Sequence, residues 1–111
     1  MPDRAVQLTV RETDFDPDGF LKDPFRWTQP LAQHIAEVDG LGRLMADHWR
    51  VIGTLRRHFL EEQDVPPEQR LCRESGLGDE CIVDLFGPDE REIWRVAGLP
   101  NPRGSRTDDL S

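Results

Sequence analysis

Long apolar runs are missing from this 111-residue chain. No segment approaches the roughly 20 apolar residues that cross a bilayer, so no membrane partner is expected. Met1 to Val10 also lacks a basic region followed by an apolar one, which gives no sign of a secretory leader. The expectation is a cytoplasmic protein. Cysteine is scarce: Cys72 and Cys81 are the only two. Their spacing fits neither a Cys-x-x-Cys redox motif nor a zinc pair. In a reducing cytoplasm they are expected as free thiols rather than a disulfide. No carboxylate–histidine signature surrounds His34, His48 or His58, so neither a metal nor another cofactor is expected. His48, on a core-facing stripe, is expected to be a hydrogen-bonded structural residue. Cations are outnumbered, with 14 Lys and Arg against 22 Asp and Glu, and the net charge of −8 opposes nonspecific binding to nucleic acid. The chain has no internal repeat and no low-complexity segment.

What is present describes one globular domain. Hydrophobic residues make up 36% and charged residues 32%, enough apolar side chains for a core at this length. Ala5 to Val10 alternates as a strand does, and Asp16-Pro17-Asp18-Gly19 is a turn, so a short N-terminal β-hairpin returning through Thr13–Phe15 is expected. The rest is expected to be helical. Asp23-Pro24 is an N-cap followed by proline at the first helical position. Thr28 caps a helix to about Asp39, with Leu31, Ile35 and Val38 on one face and Gly40 ending it. The longest helix spans about Ala46 to Gln63, with His48, Ile52, Leu55 and Phe59 as its stripe. Pro66-Pro67 opens a shorter helix to Ser75, and Asp79 caps another through Phe86. Gly87-Pro88 leads to a last helix ending near Ala97. The fold class is therefore mainly α: a small orthogonal bundle of five to six helices with a hairpin at its start. Two of these helices, joined by Gly76-Leu77-Gly78, have the outline of a helix-turn-helix.

The last helix is followed by Ala97-Gly98-Leu99-Pro100-Asn101-Pro102-Arg103-Gly104-Ser105. Its prolines and glycines cannot continue a helix, so the chain should leave as an exposed, flexible arm. The expected division is a single domain over 1–102 and a tail over 103–111. Taken with Asp18-Gly19-Phe20-Leu21, Trp27, Asp47-His48-Trp49, Pro67 with Arg70, and Leu85-Phe86-Gly87-Pro88, this ending resembles the DsrC/TusE family of sulfur-relay proteins. The resemblance runs through most of the chain. It implies a helical bundle with a C-terminal arm. DsrC-type members bind dissimilatory sulfite reductase, and TusE-type members pass persulfide sulfur toward tRNA thiolation. Both use a near-terminal cysteine. DsrC types add a second one ahead of Ala-Gly-Leu-Pro, and the two can form a disulfide.

This chain departs at both places. Trp94 stands at the second-cysteine position and Ser105 at the near-terminal one, with six further residues after it. The spacing from Gly87-Pro88 to Ala97 is also offset by a residue. A serine hydroxyl cannot replace a thiolate as a sulfur carrier, and no base is evident to activate Ser105. The leading expectation is a family member that acts by protein docking or regulation in sulfur metabolism, not as an enzyme. Its partner would be a sulfite-reductase-like or sulfur-relay protein. Trp94, Leu99, Pro100, Pro102, Arg103, Arg70 and Arg73 are the candidate partner-binding residues. Arg70 and Arg73 would form an anion or acidic-partner surface, unless they pair with Glu61, Glu62 or Asp64 instead. One alternative is a sulfurtransferase-type persulfide carrier using Cys72, whose neighbours Arg70 and Arg73 would lower a thiol pKa. The other is a DNA-binding regulator using the helix-turn-helix-like pair.

Overall fold

The computed structural model describes residues 12–63 and 65–101. Among the described residues five α-helices carry the architecture: α1 (Gln29–Val38), α2 (Ala46–Arg57), α3 (Glu68–Glu74), α4 (Cys81–Phe86) and α5 (Arg91–Val96). α1 packs against α5, α2 lies beside α3 and α4, and α4 bridges α3 and α5. The fold is mainly helical, as the periodicity requires.

The N-terminal strand expected over residues 5–10 lies outside the described residues. Thr13–Phe15 differs from the strand expected there. Glu12–Asp14 is a 3-10 turn, and a single antiparallel bridge joins Phe15 to Leu21 around the Asp16–Gly19 turn. Asp16 Oδ1 closes that turn by accepting from the backbone N–H groups of Asp18 and Phe20, both at 2.9 Å. This places Phe20 and Leu21 in the core, 1% and 0% exposed.

The caps at Asp23 and Thr28 form as expected. Asp23 Oδ1 accepts from Phe25 N at 3.0 Å, and Thr28 Oγ1 accepts from Leu31 N at 3.2 Å. The face of α1 differs in one position. Ala32 and Ala36 join Leu31 and Ile35 in the core, whereas Val38, in the last turn, is exposed. Asp79 does not cap α4, because the helix starts two residues later, after Glu80, which makes no side-chain cap.

α2 does not continue as α-helix to Gln63. After Arg57 it widens into one π turn, His58–Glu62, and stops at Gln63 in the left-handed region. A π turn holds an extra residue, which rotates the stripe. His58 becomes buried where Phe59 was expected, and Phe59 is half-buried. His48 meets its expectation: Nδ1 accepts from Met45 N, and Nε2 lies 3.0 Å from the Leu85 carbonyl.

Three helices end in the same way. Gly40, Gly76 and Gly98 each take a positive φ, and each following leucine N–H bonds back to the carbonyl five residues earlier: Leu41 to Ala36, Leu77 to Cys72, Leu99 to Trp94. Only the third of these leucines is wholly buried.

Candidate functional site at the arm root

Gly98 follows α5 with φ +70, and any Cβ there would run into the Trp27 side chain. The glycine is therefore required twice, for its dihedral and for its clearance. Leu99 is 0% exposed and belongs to the core. The expectation that the segment after the last helix is exposed is corrected for its first residues: 97–99 are core, and Pro100 and Asn101 are half-buried. Asn101 Nδ2 donates to Asp18 Oδ2 at 2.8 Å, which ties the exit to the Asp16–Gly19 turn.

Two arginines hold this root. Arg56, from α2, donates through Nη1 to the Ala97 carbonyl at 2.8 Å and through Nη2 to the Pro24 carbonyl at 3.0 Å. Its guanidinium lies 4.2 Å from the Trp27 ring centroid, a cation–π arrangement. Trp27 Nε1 donates to the Val96 carbonyl at 2.9 Å. The last carbonyls of α5 are thus satisfied by side chains from two other parts of the chain. Burial lowers the Arg56 pKa.

Arg95 makes the second clasp. It grips Asp39 with both Nε and Nη2, at 2.9 and 2.8 Å, and donates through Nη1 to the Gly19 carbonyl at 2.7 Å. Burial pushes the Asp39 carboxyl up, but its hydrogen bonds, Arg95's foremost, outweigh this and hold it low. Glu92, one turn earlier on α5, shows the reverse. Burial, with the nearby Asp39 carboxyl, pushes it up to about 8. Its Oε2 is buried and has no hydrogen-bond partner. The site therefore favours the protonated form of Glu92.

On another side, the His58 imidazole sits between two carboxylates. Nε2 lies 2.6 Å from Glu74 Oε1, and Nδ1 lies 3.2 Å from Glu62 Oε1. Hydrogen bonds from His58 and Arg70 bring the Glu74 carboxyl down to about 2. Arg70 donates from Nε to Glu74 Oε2 at 2.8 Å. Arg73 lies 3.8 Å from Asp79 and reaches the Gln69 carbonyl. Both are engaged with carboxylates, though not with those named from the sequence: one-turn spacing put Glu74 within reach of Arg70.

Cys72 and Cys81 are not free thiols. They form a disulfide joining α3 to α4, with Cα atoms 5.6 Å apart, and they are 0% and 5% exposed. The tight turn over 75–80 folds α4 back onto α3 and brings together residues nine apart. Trp94 is half-buried and packs edge-on to Phe59, with ring centroids 6.1 Å apart. It lines an open groove of about 780 Å³, together with Pro66, Pro67 and Glu68 before and in α3, Ile82 and Val83 of α4, and the α4–α5 connection. Pro102, Arg103 and Ser105 lie outside the described residues. Among the described residues no three His, Cys, Asp or Glu stand together as metal ligands, and no helix is long and apolar enough to cross a membrane.

Sequence reasoning missed Arg56, Arg95, Asp39 and Glu92 as elements of the root. The available signal for the two arginines was their place in the last turns of α2 and α5, where helix carbonyls attract cations.

Comparison with known proteins agrees with this geometry. Residues 7–105 match the family model described as DsrC like protein. The chain is 33% identical over 101 residues to the sulfurtransferase TusE of Escherichia coli K12, covering 83% of this chain and 91% of that protein. The corresponding Salmonella typhimurium protein is 32% identical over the same length. Among solved structures, the oxidised γ-subunit of dissimilatory sulfite reductase (DsrC) from Archaeoglobus fulgidus superposes with a TM-score of 0.67 at 30% identity, covering 83% of this chain and 90% of that one. DsrC of Allochromatium vinosum gives 0.66 at 28%, covering 83% and 88%. The family model spans most of the chain and the helical folds superpose, and the chain belongs to the DsrC-like family.

Proposed function

We propose that this chain serves sulfur metabolism by docking a protein partner through its C-terminal arm, without carrying sulfur itself. The observation that supports this most is the position of its sulfur. Both cysteines are buried in a bond between α3 and α4, and, by the sequence resemblance, Ser105 takes the arm position of the family's carrier cysteine. A persulfide needs an accessible thiolate, which neither position offers.

The docking apparatus is retained. Leu99 is reassigned from partner contact to anchor, since it is fully buried. Trp94, Pro100, Pro102 and Arg103 remain as the contact residues. The partner is a protein of the sulfite-reductase or sulfur-relay type, the kind of system named for the relatives. Arg70 and Arg73, already paired with Glu74 and Asp79, contribute little to it.

Intact-mass measurement after incubation with a persulfide donor tests the reading. The expected result is no added sulfur on the native chain and one added sulfur on Ser105→Cys. Sulfur acquired by the native chain, through Cys72 or Cys81, would overturn it. Docking is read separately, by comparing capture of a sulfur-relay or sulfite-reductase partner by the full chain and by a chain ending at Asn101. Equal capture would remove the arm from the contact.

A further inference from the structure

We propose that Cys72 and Cys81 form a thiol–disulfide exchange site in the body of the protein, with a dithiol as co-substrate, whose redox state sets how firmly α3 and α4 are held together. The inference concerns the body cysteines alone and does not depend on the arm or on any partner.

Four observations carry it. The bond joins helices of seven and six residues, each too short to persist without its neighbours. Both sulfurs sit in an apolar core, where two thiols are also tolerated as small apolar groups, so one fold accommodates both redox states. The connecting turn, residues 75–80, is mostly exposed and passes through Gly76 at φ +79, which makes it the segment that opens locally to admit a reductant. Finally, the two helices wall the groove beside Trp94, with Pro67 and Glu68 on one side and Ile82 and Val83 on the other.

The chemistry balances as an exchange. A thiolate of the dithiol attacks Cys81 Sγ, the less buried of the pair, and Cys72 leaves as a thiolate that takes up a proton. The second thiol of the reductant then attacks the mixed disulfide and releases Cys81. The protein pair gains two electrons and two protons, and the dithiol becomes a cyclic disulfide. An excess of such dithiols favours the reduced pair, and an excess of the corresponding cyclic disulfide runs the same exchange in reverse, restoring the bond and regenerating the dithiol.

The full chain is equilibrated in buffers of graded reduced-to-oxidised dithiothreitol, then alkylated and mass-analysed. The same samples are followed by amide hydrogen exchange. The expected result is one transition in which Cys72 and Cys81 become labelled together, with exchange across residues 68–86 rising about tenfold or more on reduction while α1 is unchanged. Three results would each overturn the proposal: identical exchange in both states, a bond that dithiothreitol cannot reduce in the folded protein, or global unfolding of the reduced chain. Cys72→Ala/Cys81→Ala should exchange like the reduced protein. If that variant fails to fold, the reduced native chain still supplies the comparison.

Discussion

The arm root and the α3–α4 wall are held together by different means. At the root, Trp27, Asp39 and Arg56 come from distant segments to the end of α5, whose own Arg95 reaches the turn at Gly19. Across the wall, two short helices next to each other in sequence are joined by one covalent bond. The root's restraint is noncovalent and distributed over several contacts. The wall's restraint rests on one bond that chemistry can break. The part that launches the arm is thus insulated from redox conditions, and the part that lines the groove is exposed to them.

The largest effect should come from the root. Gly98→Ala demands a side chain at φ +70 and drives Cβ into Trp27, so either the indole or the Gly98 turn must move. A loss of about 3 kcal/mol or more is expected, a large fraction of the stability of a small domain. Chemical denaturation checks it. If Gly98→Ala melts like the native protein, the root is not the tightly packed element described. Leu99→Ala should cost about 2–5 kcal/mol by leaving a cavity at a fully buried site.

Arg56→Met comes next. It keeps much of the apolar stem but leaves the Ala97 and Pro24 carbonyls without their guanidinium donor and removes the cation over Trp27. About 2–3 kcal/mol is expected, with increased hydrogen exchange at residues 97–99. Removing the disulfide with Cys72→Ala/Cys81→Ala should cost a comparable amount, about 3 kcal/mol for a loop of this length. The contrast lies in where the loss appears. The first variant should loosen the arm root and leave α3 alone, and the second should do the opposite. Loosening of both regions by either variant would mean that root and wall are one cooperative unit.

The two regions also differ in how legible they are from the sequence. Helix positions, the Thr28 and Asp23 caps and the glycine stops follow from local rules, because each depends on residues a few positions apart. The clasp does not, since Arg56 meets Ala97 across 41 residues and Arg95 meets Gly19 across 76. No periodicity in the sequence encodes such pairs. The π turn at His58 escaped for a different reason: a single extra residue in a turn leaves the apolar pattern almost unchanged while moving the buried position from Phe59 to His58. The disulfide was misjudged because compartment chemistry argues for free thiols, whereas the tight turn over 75–80 sets the two cysteines side by side. The family motifs were legible because Gly98-Leu99 is fixed by packing that few other residues satisfy.

The smallest effect is a matter of pH, and it separates the root from the His58–Glu74 pair. Glu92 has its pKa raised to about 8 in the folded protein, above the ordinary 4.5 of the unfolded chain. Between these values the folded state keeps a proton that the unfolded state has lost, so the Glu92 contribution to stability falls as pH rises through that window. Glu74 runs the other way. With a carboxyl brought down to about 2, its contribution is present above 4.5 and is lost as pH falls toward 2. Glu92→Gln should therefore match the native chain near pH 4.5 and exceed it at pH 8, by on the order of 1 kcal/mol once solvent screening is allowed for. Glu74→Gln should do no better than the native chain at pH 8 and lose its difference below pH 3. Thermal melts across pH 3–9 distinguish the two. An unchanged pH profile in Glu92→Gln would mean that Glu92 is ionised beside Asp39, and that Arg95 holds two carboxylates at the arm root rather than one.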